Sequence, residues 1–158
     1  MKRNESLTRR FARCEQVRMC ARLAAPALLM IMNAAWPACV VSAVGVNFGS
    51  YDPFFQQNLD STGSVVVSCD VTTAYSIALS PGRGAYTSRA MANGSHELLY
   101  NLYTSVAHAT LWGDGTAGTA TLDASGMSNE HTVYGRIPAG QNAFSGSYSD
   151  TIVVTLTF

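Results

Sequence analysis

A succession of short β-branched runs, each cut off by turn residues and none with a helical period, constrains this chain more than any other feature. The most regular is Thr151–Phe158. There Ile152, Val154, Leu156 and Phe158 point one way, and Thr151, Val153, Thr155 and Thr157 the other. Such a period of two belongs to a strand with one face in a core and one in water. Val40–Phe48 places Val40, Val44, Val46 and Phe48 on one alternating face, and Gly49–Pro53 ends it. Asp60-Ser61-Thr62-Gly63 reads as a turn before a strand over Ser64–Cys69. Further strands are expected over Ala74–Ser80, which Pro81–Gly84 stops, over Leu98–Tyr103 as a central strand, and over His131–Ile137. Trp112–Thr116 carries the Asp-Gly signature of a tight turn. Six to eight short strands in about 120 residues indicate one all-β domain, a sandwich or small barrel.

The beginning of the chain differs in kind. Seven of its ten basic residues lie within the first 22 positions, followed by the apolar run Leu23–Met32 and the small residues Ala34, Ala35 and Ala38. Basic, apolar and small-residue zones in that order define a secretory signal peptide over residues 1–38. The apolar run falls short of the about 20 residues that a membrane-spanning helix needs, and Pro26 interrupts it. No transmembrane segment is therefore expected in the mature chain, residues 39–158. Met19 is an alternative start. A cut after Ala38 removes Cys14 and Cys20 and leaves Cys39 and Cys69, most simply one disulfide in an exported protein. Free thiols and a metal site are the alternatives, and no histidine stands near either cysteine in sequence. Trp36-Pro37-Ala38 lacks the aliphatic residue expected three positions before a lipidated cysteine.

Past residue 38 three arginines stand against eight acidic residues, a net charge of −5 without a lysine. No basic face is available to neutralise phosphates, which speaks against nucleic acid as a partner. His96, His108 and His131 lie in or beside polar, turn-rich stretches without a nucleophile elbow, so no catalytic residues are assigned and the chain is read as a non-enzyme. Asp114 and Asp123 lack the oxygen-ligand spacing of a calcium loop. No metal or other cofactor is expected. Tyr100, Tyr103, Trp112, Tyr134 and Tyr148 are read as core or edge packing rather than a sugar-binding patch. Any receptor-binding surface would sit on the loops Ser61–Gly63, Ala92–Ser95 and Ser125–Asn129.

Specific stretches can be matched in order. They are an early cysteine with Val46-Asn47-Phe48-Gly49-Ser50-Tyr51-Asp52, Gly63–Val67 leading into Cys69, Tyr75–Leu79 before Ser80-Pro81-Gly82, and Arg89-Ala90-Met91. Leu99–Tyr103, Trp112–Thr116, Val133–Gln141, Gly146–Asp150 and the terminal strand follow. Through them the mature chain resembles the spore coat protein U family, which includes subunits of archaic chaperone–usher pili. The resemblance implies an incomplete immunoglobulin-like sandwich lacking its last strand. The chain stopping directly after Phe158 agrees with that expectation. In that family a periplasmic chaperone lends the strand in transit and the next pilus subunit replaces it, so the resemblance implies a periplasmic chaperone, an outer-membrane usher and other pilus subunits as partners. The acceptor groove and chaperone-binding edge would be formed by Val44, Val46, Phe48, Ile152, Val154, Leu156 and Phe158.

The implied course is export through the periplasm to the cell surface or a fimbrium. Shaft subunits of the family carry a donor segment before their first cysteine, and a cut beside Cys39 leaves almost none. The chain is thus expected to accept a strand but not to give one, as a tip or terminal subunit or a coat protein outside any fibre. The competing reading is a self-contained secreted adhesive or carbohydrate-binding sandwich.

Overall fold

The computed structural model describes residues 37–158. The expected signal segment, Met19, Cys14 and Cys20 lie outside the described residues, apart from Pro37 and Ala38. Six strands follow in chain order: β1 (Cys39–Val44), β2 (Leu59–Leu79), β3 (Arg89–Asn93), β4 (His96–Tyr103), β5 (Leu122–Ile137) and β6 (Val154–Thr157). All pairings between these strands are antiparallel; the sheet order is β1-β2-β5-β4-β3, with β6 joined to β2.

The frame is the pair β2 and β5, matched from Leu59↔Ile137 to Ile77↔Leu122 with a register shift between Ser68 and Thr73. At that shift the pair folds over on itself. Tyr75, in the second half of β2, puts its hydroxyl 2.9 Å from Nε2 of His131, whose own rung is Val65 in the first half. Asn129 Nδ2 donates to the same hydroxyl at 2.8 Å. The Trp112 indole N–H donates to the Ile77 carbonyl at 2.9 Å, while its backbone N–H donates to Leu102 of β4. Two half-sheets therefore face one another, and between them lie Val65, Val67, Tyr75, Ile77, Leu79, Leu98, Tyr100, Leu102, Trp112, Val133 and Ile137. The result is the single all-β domain that the run pattern called for, with the immunoglobulin-like form that the family resemblance implied.

The turn expected at Asp60–Gly63 is instead the beginning of β2, and the loop expected at Ser125–Asn129 lies inside β5. In the first case Asp60 is held by Arg136 across the rung, both contacts at 2.6 Å, and this hydrogen-bonded pair keeps the carboxyl below the usual carboxylate range. Gly63 admits the incoming chain, since the Val44 carbonyl and the Val46 amide nitrogen crowd the place where a Cβ would stand. In the second case the glycine and serines mark the fold-over rather than a break. Ser64–Cys69 and Ala74–Ser80, read as two strands, are two halves of one, which ends at Leu79.

A buried cation caps the end of β2. Arg89 is fully buried and has no salt-bridge partner among the described residues; Nη1 donates to Asn101 Oδ1 at 2.9 Å, Nη2 to the Trp112 carbonyl at 2.7 Å, and Nε and Nη2 to the Ser80 carbonyl. Burial pulls its pKa below the ordinary arginine value. These carbonyls terminate β2 and the Trp112 turn, and would otherwise be buried acceptors lacking a donor.

Cys39 and Cys69 are rung partners in β1 and β2 and form a disulfide with Cα atoms 4.1 Å apart. Closing a separation of 30 residues restricts the unfolded chain by about 3–4 kcal/mol on the chain-entropy estimate. Replacing both cysteines by serine is expected to lower unfolding stability by about 3 kcal/mol in urea titrations. An unchanged midpoint would show that the bridge adds nothing to stability.

Candidate strand-docking groove

β1 pairs with the first half of β2 through Val44↔Ser64, and β6 with the second half through Leu79↔Val154. Because β2 folds over, both edge strands lie along the same seam, one on each half-sheet. β1 runs away from the fold-over and β6 runs towards it. Among the described residues neither has a strand partner on its other side.

Between them is a cavity of about 300 Å³ whose walls include Val44, Val46 and Phe48 on one side and Ile152 and Val154 on the other, with Val65, Leu79, Leu102 and Val133 as floor. Five of the seven residues assigned to the groove from sequence are thus brought together. Leu156 continues the inward face of β6, packed against the core, and Phe158 stands 54% exposed; neither lines this cavity. Val40, placed by alternation on the same face, is 69% exposed. The alternation breaks after Val44, where β1 ends and the chain crosses at Gly45 onto the floor. Val46 and Phe48 then pack on the core.

That crossing depends on Gly135 of β5. A Cβ there would stand 2.7 Å from both the Phe48 ring and Val46 Cγ1. Phe48 in turn meets the Tyr100 ring edge-on at 5.9 Å. Tyr100 donates its hydroxyl to Asp150 Oδ2 at 2.7 Å, and burial followed by this bond raises the phenol pKa above its ordinary value. Asp150 Oδ1 accepts from the Arg83 and Thr151 amides, and Ser80 exchanges bonds with Val153, so the start of the last strand is tied to the turn after β2. Sequence reading missed Tyr100, Met91 and Asp150 as groove residues, since they face it from elements that carry no edge pattern.

A second cavity of about 690 Å³ shares Val46, Phe48, Met91 and Tyr148 with the first and runs on past Tyr51, Ser50, Ser145 and Phe144. The histidines serve packing in separate places. His96 stacks on Phe144 at 4.0 Å, and His108 lies edge-on to Tyr103. His131 bonds Tyr75, and burial lowers its pKa. Tyr100 and Trp112 are buried and Tyr103, Tyr134 and Tyr148 half-buried, as core and edge packing requires. Among the described residues no cluster of three or more His, Cys, Asp or Glu could hold a metal. No described helix is long and apolar enough to cross a membrane.

An immunoglobulin-like domain with two parallel-lying open edges over an apolar trough is the class that fold and groove define. The chain belongs to the spore coat protein U domain family, whose pattern it matches over residues 25–155. It is 36% identical over 130 residues to Protein U of Myxococcus xanthus, covering 72% of this chain and 71% of that protein. Its fold is similar to that in the CsuC–CsuE chaperone–tip adhesion subunit pre-assembly complex from archaic chaperone-usher Csu pili of Acinetobacter baumannii. The TM-score is 0.53 at 24% identity. The match covers 78% of this chain and 40% of that one, so this chain spans well under half of the solved relative.

Gly135→Val should push Val46 and Phe48 off the floor and destabilise the domain by about 1–3 kcal/mol, the ordinary cost of overpacking. Urea unfolding measures it. A variant as stable as the parent would mean that the crossing does not rest on this glycine.

Proposed function

We propose that this protein is an exported pilus or surface-coat subunit whose sandwich is completed by a strand from another chain, first a periplasmic chaperone's and then another subunit's. The single observation that carries the reading is the trough between β1 and β6, walled by Val44, Val46, Phe48, Ile152 and Val154 and unpaired on both edges. Open edges beside bare apolar side chains are a template for strand addition. A strand burying four or five apolar side chains there gains at most roughly 7–12 kcal/mol. That equals the stability of a whole domain, so partner binding and folding are coupled. Family membership and the similarity to a chaperone-bound pilus subunit support the same reading. An usher in the outer membrane, passage through the periplasm and delivery to the surface follow from it, and no catalytic role is assigned.

Groove-facing and outward-facing residues of the last strand separate strand completion from a self-contained module. Val154→Asp should abolish co-purification with a chaperone co-expressed in the periplasm, while Val153→Asp, on the 59% exposed outer face, should retain it. Equal capture of both variants, or a parent chain that is monomeric and binds no hydrophobic dye on its own, would overturn the proposal.

A terminal position in the fibre is the finer part of the proposal. It rests on export removing everything ahead of Cys39. The family match reaches back to residue 25, into the stretch read as signal. Amino-terminal sequencing of the exported protein is expected to give Cys39 or a residue beside it. A mature start near residue 22 would leave an apolar segment able to act as a donor and would remove the terminal role.

A further inference from the structure

The two half-sheets are pinned to one another beside the fold-over by Tyr75, Asn129 and His131, whose protons can be assigned. Asn129 Nδ2 lies 3.1 Å from the Ser125 carbonyl, which can only accept, so the amide nitrogen is fixed on this side. The same nitrogen donates to the Tyr75 hydroxyl at 2.8 Å. The phenol's own proton is then left for Nε2 of His131, 2.9 Å away. Nε2 is therefore an acceptor, and the ring is neutral with its proton on Nδ1. The rung partners of Asn129 and His131 are Val67 and Val65 in the first half of β2, whereas Tyr75 lies in the second half, opposite Ala124. These bonds thus cross between the layers. Tyr75 is 5% exposed, and the imidazole meets its ring edge-on at 5.9 Å.

Nothing around the imidazole would hold a positive charge. On β5 its inward neighbours are Asn129 and Val133, and on β2 they are Val65, Val67 and Tyr75. Tyr75 is the one titratable group among them. The carboxylates nearest along these strands are engaged elsewhere: Glu130 and Asp123 stand on the exposed alternate faces, and Asp70 accepts from the Ala38 amide. The ion pairs of the described residues lie at Asp60, with Arg136 and His108, and between Arg83 and Glu97.

We infer that His131, Tyr75 and Asn129 form an acid-sensitive clasp between the two half-sheets, closed at neutral pH and released when Nε2 takes up a proton. A protonated Nε2 is a donor. It and the Asn129 amide would then both point at the phenol oxygen, and the phenol proton would lose its acceptor. An unpartnered O–H in a buried position and an imidazolium without a counter-ion both cost free energy. Burial accordingly lowers the pKa of His131 from the ordinary 6.5. The unfolded chain takes up its proton at the ordinary value while the folded ring is still neutral, so acid favours unfolding. The stability that depends on the neutral ring is complete above about pH 6.5 and is lost as the pH falls below it.

Thermal unfolding of the purified protein at about pH 7.5 and pH 5 tests the clasp, beside the variant His131→Gln. Glutamine keeps an acceptor within reach of the phenol and has no titrating nitrogen. Every other histidine and carboxylate is common to the two chains. Between the two pH values the parent is expected to lose at least about 4 °C more in Tm than the variant. Equal losses overturn the proposal. Long-range proton–nitrogen spectra of the parent's imidazoles give a reading that needs no variant to fold. They are expected to show His131 with a bare Nε2 at pH 7.5, gaining its second proton only below pH 6.5. A proton on Nε2 at pH 7.5, or a titration at or above 6.5, overturns the proposal as well.

Discussion

The doubling-over of one long strand pair is the constraint on which the rest of the molecule depends. β2 and β5 are single hydrogen-bonded ribbons from Leu59 to Ile77 and from Leu122 to Ile137, yet they supply both layers of the sandwich. A layer made by folding has its two halves covalently joined at one end, so strands added to the same side of β2 must come to lie along one seam. β1 and β6 are those strands. The open trough is thus a product of topology before any side chain is considered; Val46, Phe48, Ile152 and Val154 decide only that it is apolar.

Polar anchors hold this arrangement where apolar packing is interrupted. The buried Arg89 gathers the carbonyls of Ser80 and Trp112 and the amide oxygen of Asn101. Trp112 reaches the Ile77 carbonyl from the same place. The end of β2, the Trp112 turn and β4 are thereby joined at one point. Ser80 and Asp150 bind the start of the last strand to that point through Val153, Thr151 and Tyr100. One wall of the trough is therefore fixed by polar bonds, while the other is fixed by the disulfide and by the close approach over Gly63 and Gly135.

Much of this was legible in the sequence, and the failures have physical reasons. Alternation picked out the inward face of the last strand because Ile152, Val154 and Leu156 obey a period of two, which fails only at the exposed Phe158. Leu98–Tyr103 read as an interior strand because its residues suit burial, and β4 lies between β5 and β3. Asp60–Gly63 and Ser125–Asn129 misled because their composition is that of turns. Turn chemistry also describes places where a sheet must bend or admit a neighbour's backbone, and only pairing partners distant in sequence tell the two apart. The same limit hid Tyr100, Met91 and Asp150. Their part in the trough comes from what faces them across the sandwich, which no local pattern encodes.

The position of the bridge also has a mechanical meaning. The described chain enters the domain beside the fold-over, where Ala38 and Asp70 exchange hydrogen bonds next to Cys39. Tension applied at Cys39 passes through two sulfur atoms into Cys69, at the middle of the longest strand, and bypasses the six residues of β1. An edge strand held only by hydrogen bonds could be unzipped rung by rung from its loaded end; this one cannot be peeled while the sulfurs remain joined. A domain loaded at Cys39 would keep that wall of its trough intact and would yield elsewhere first.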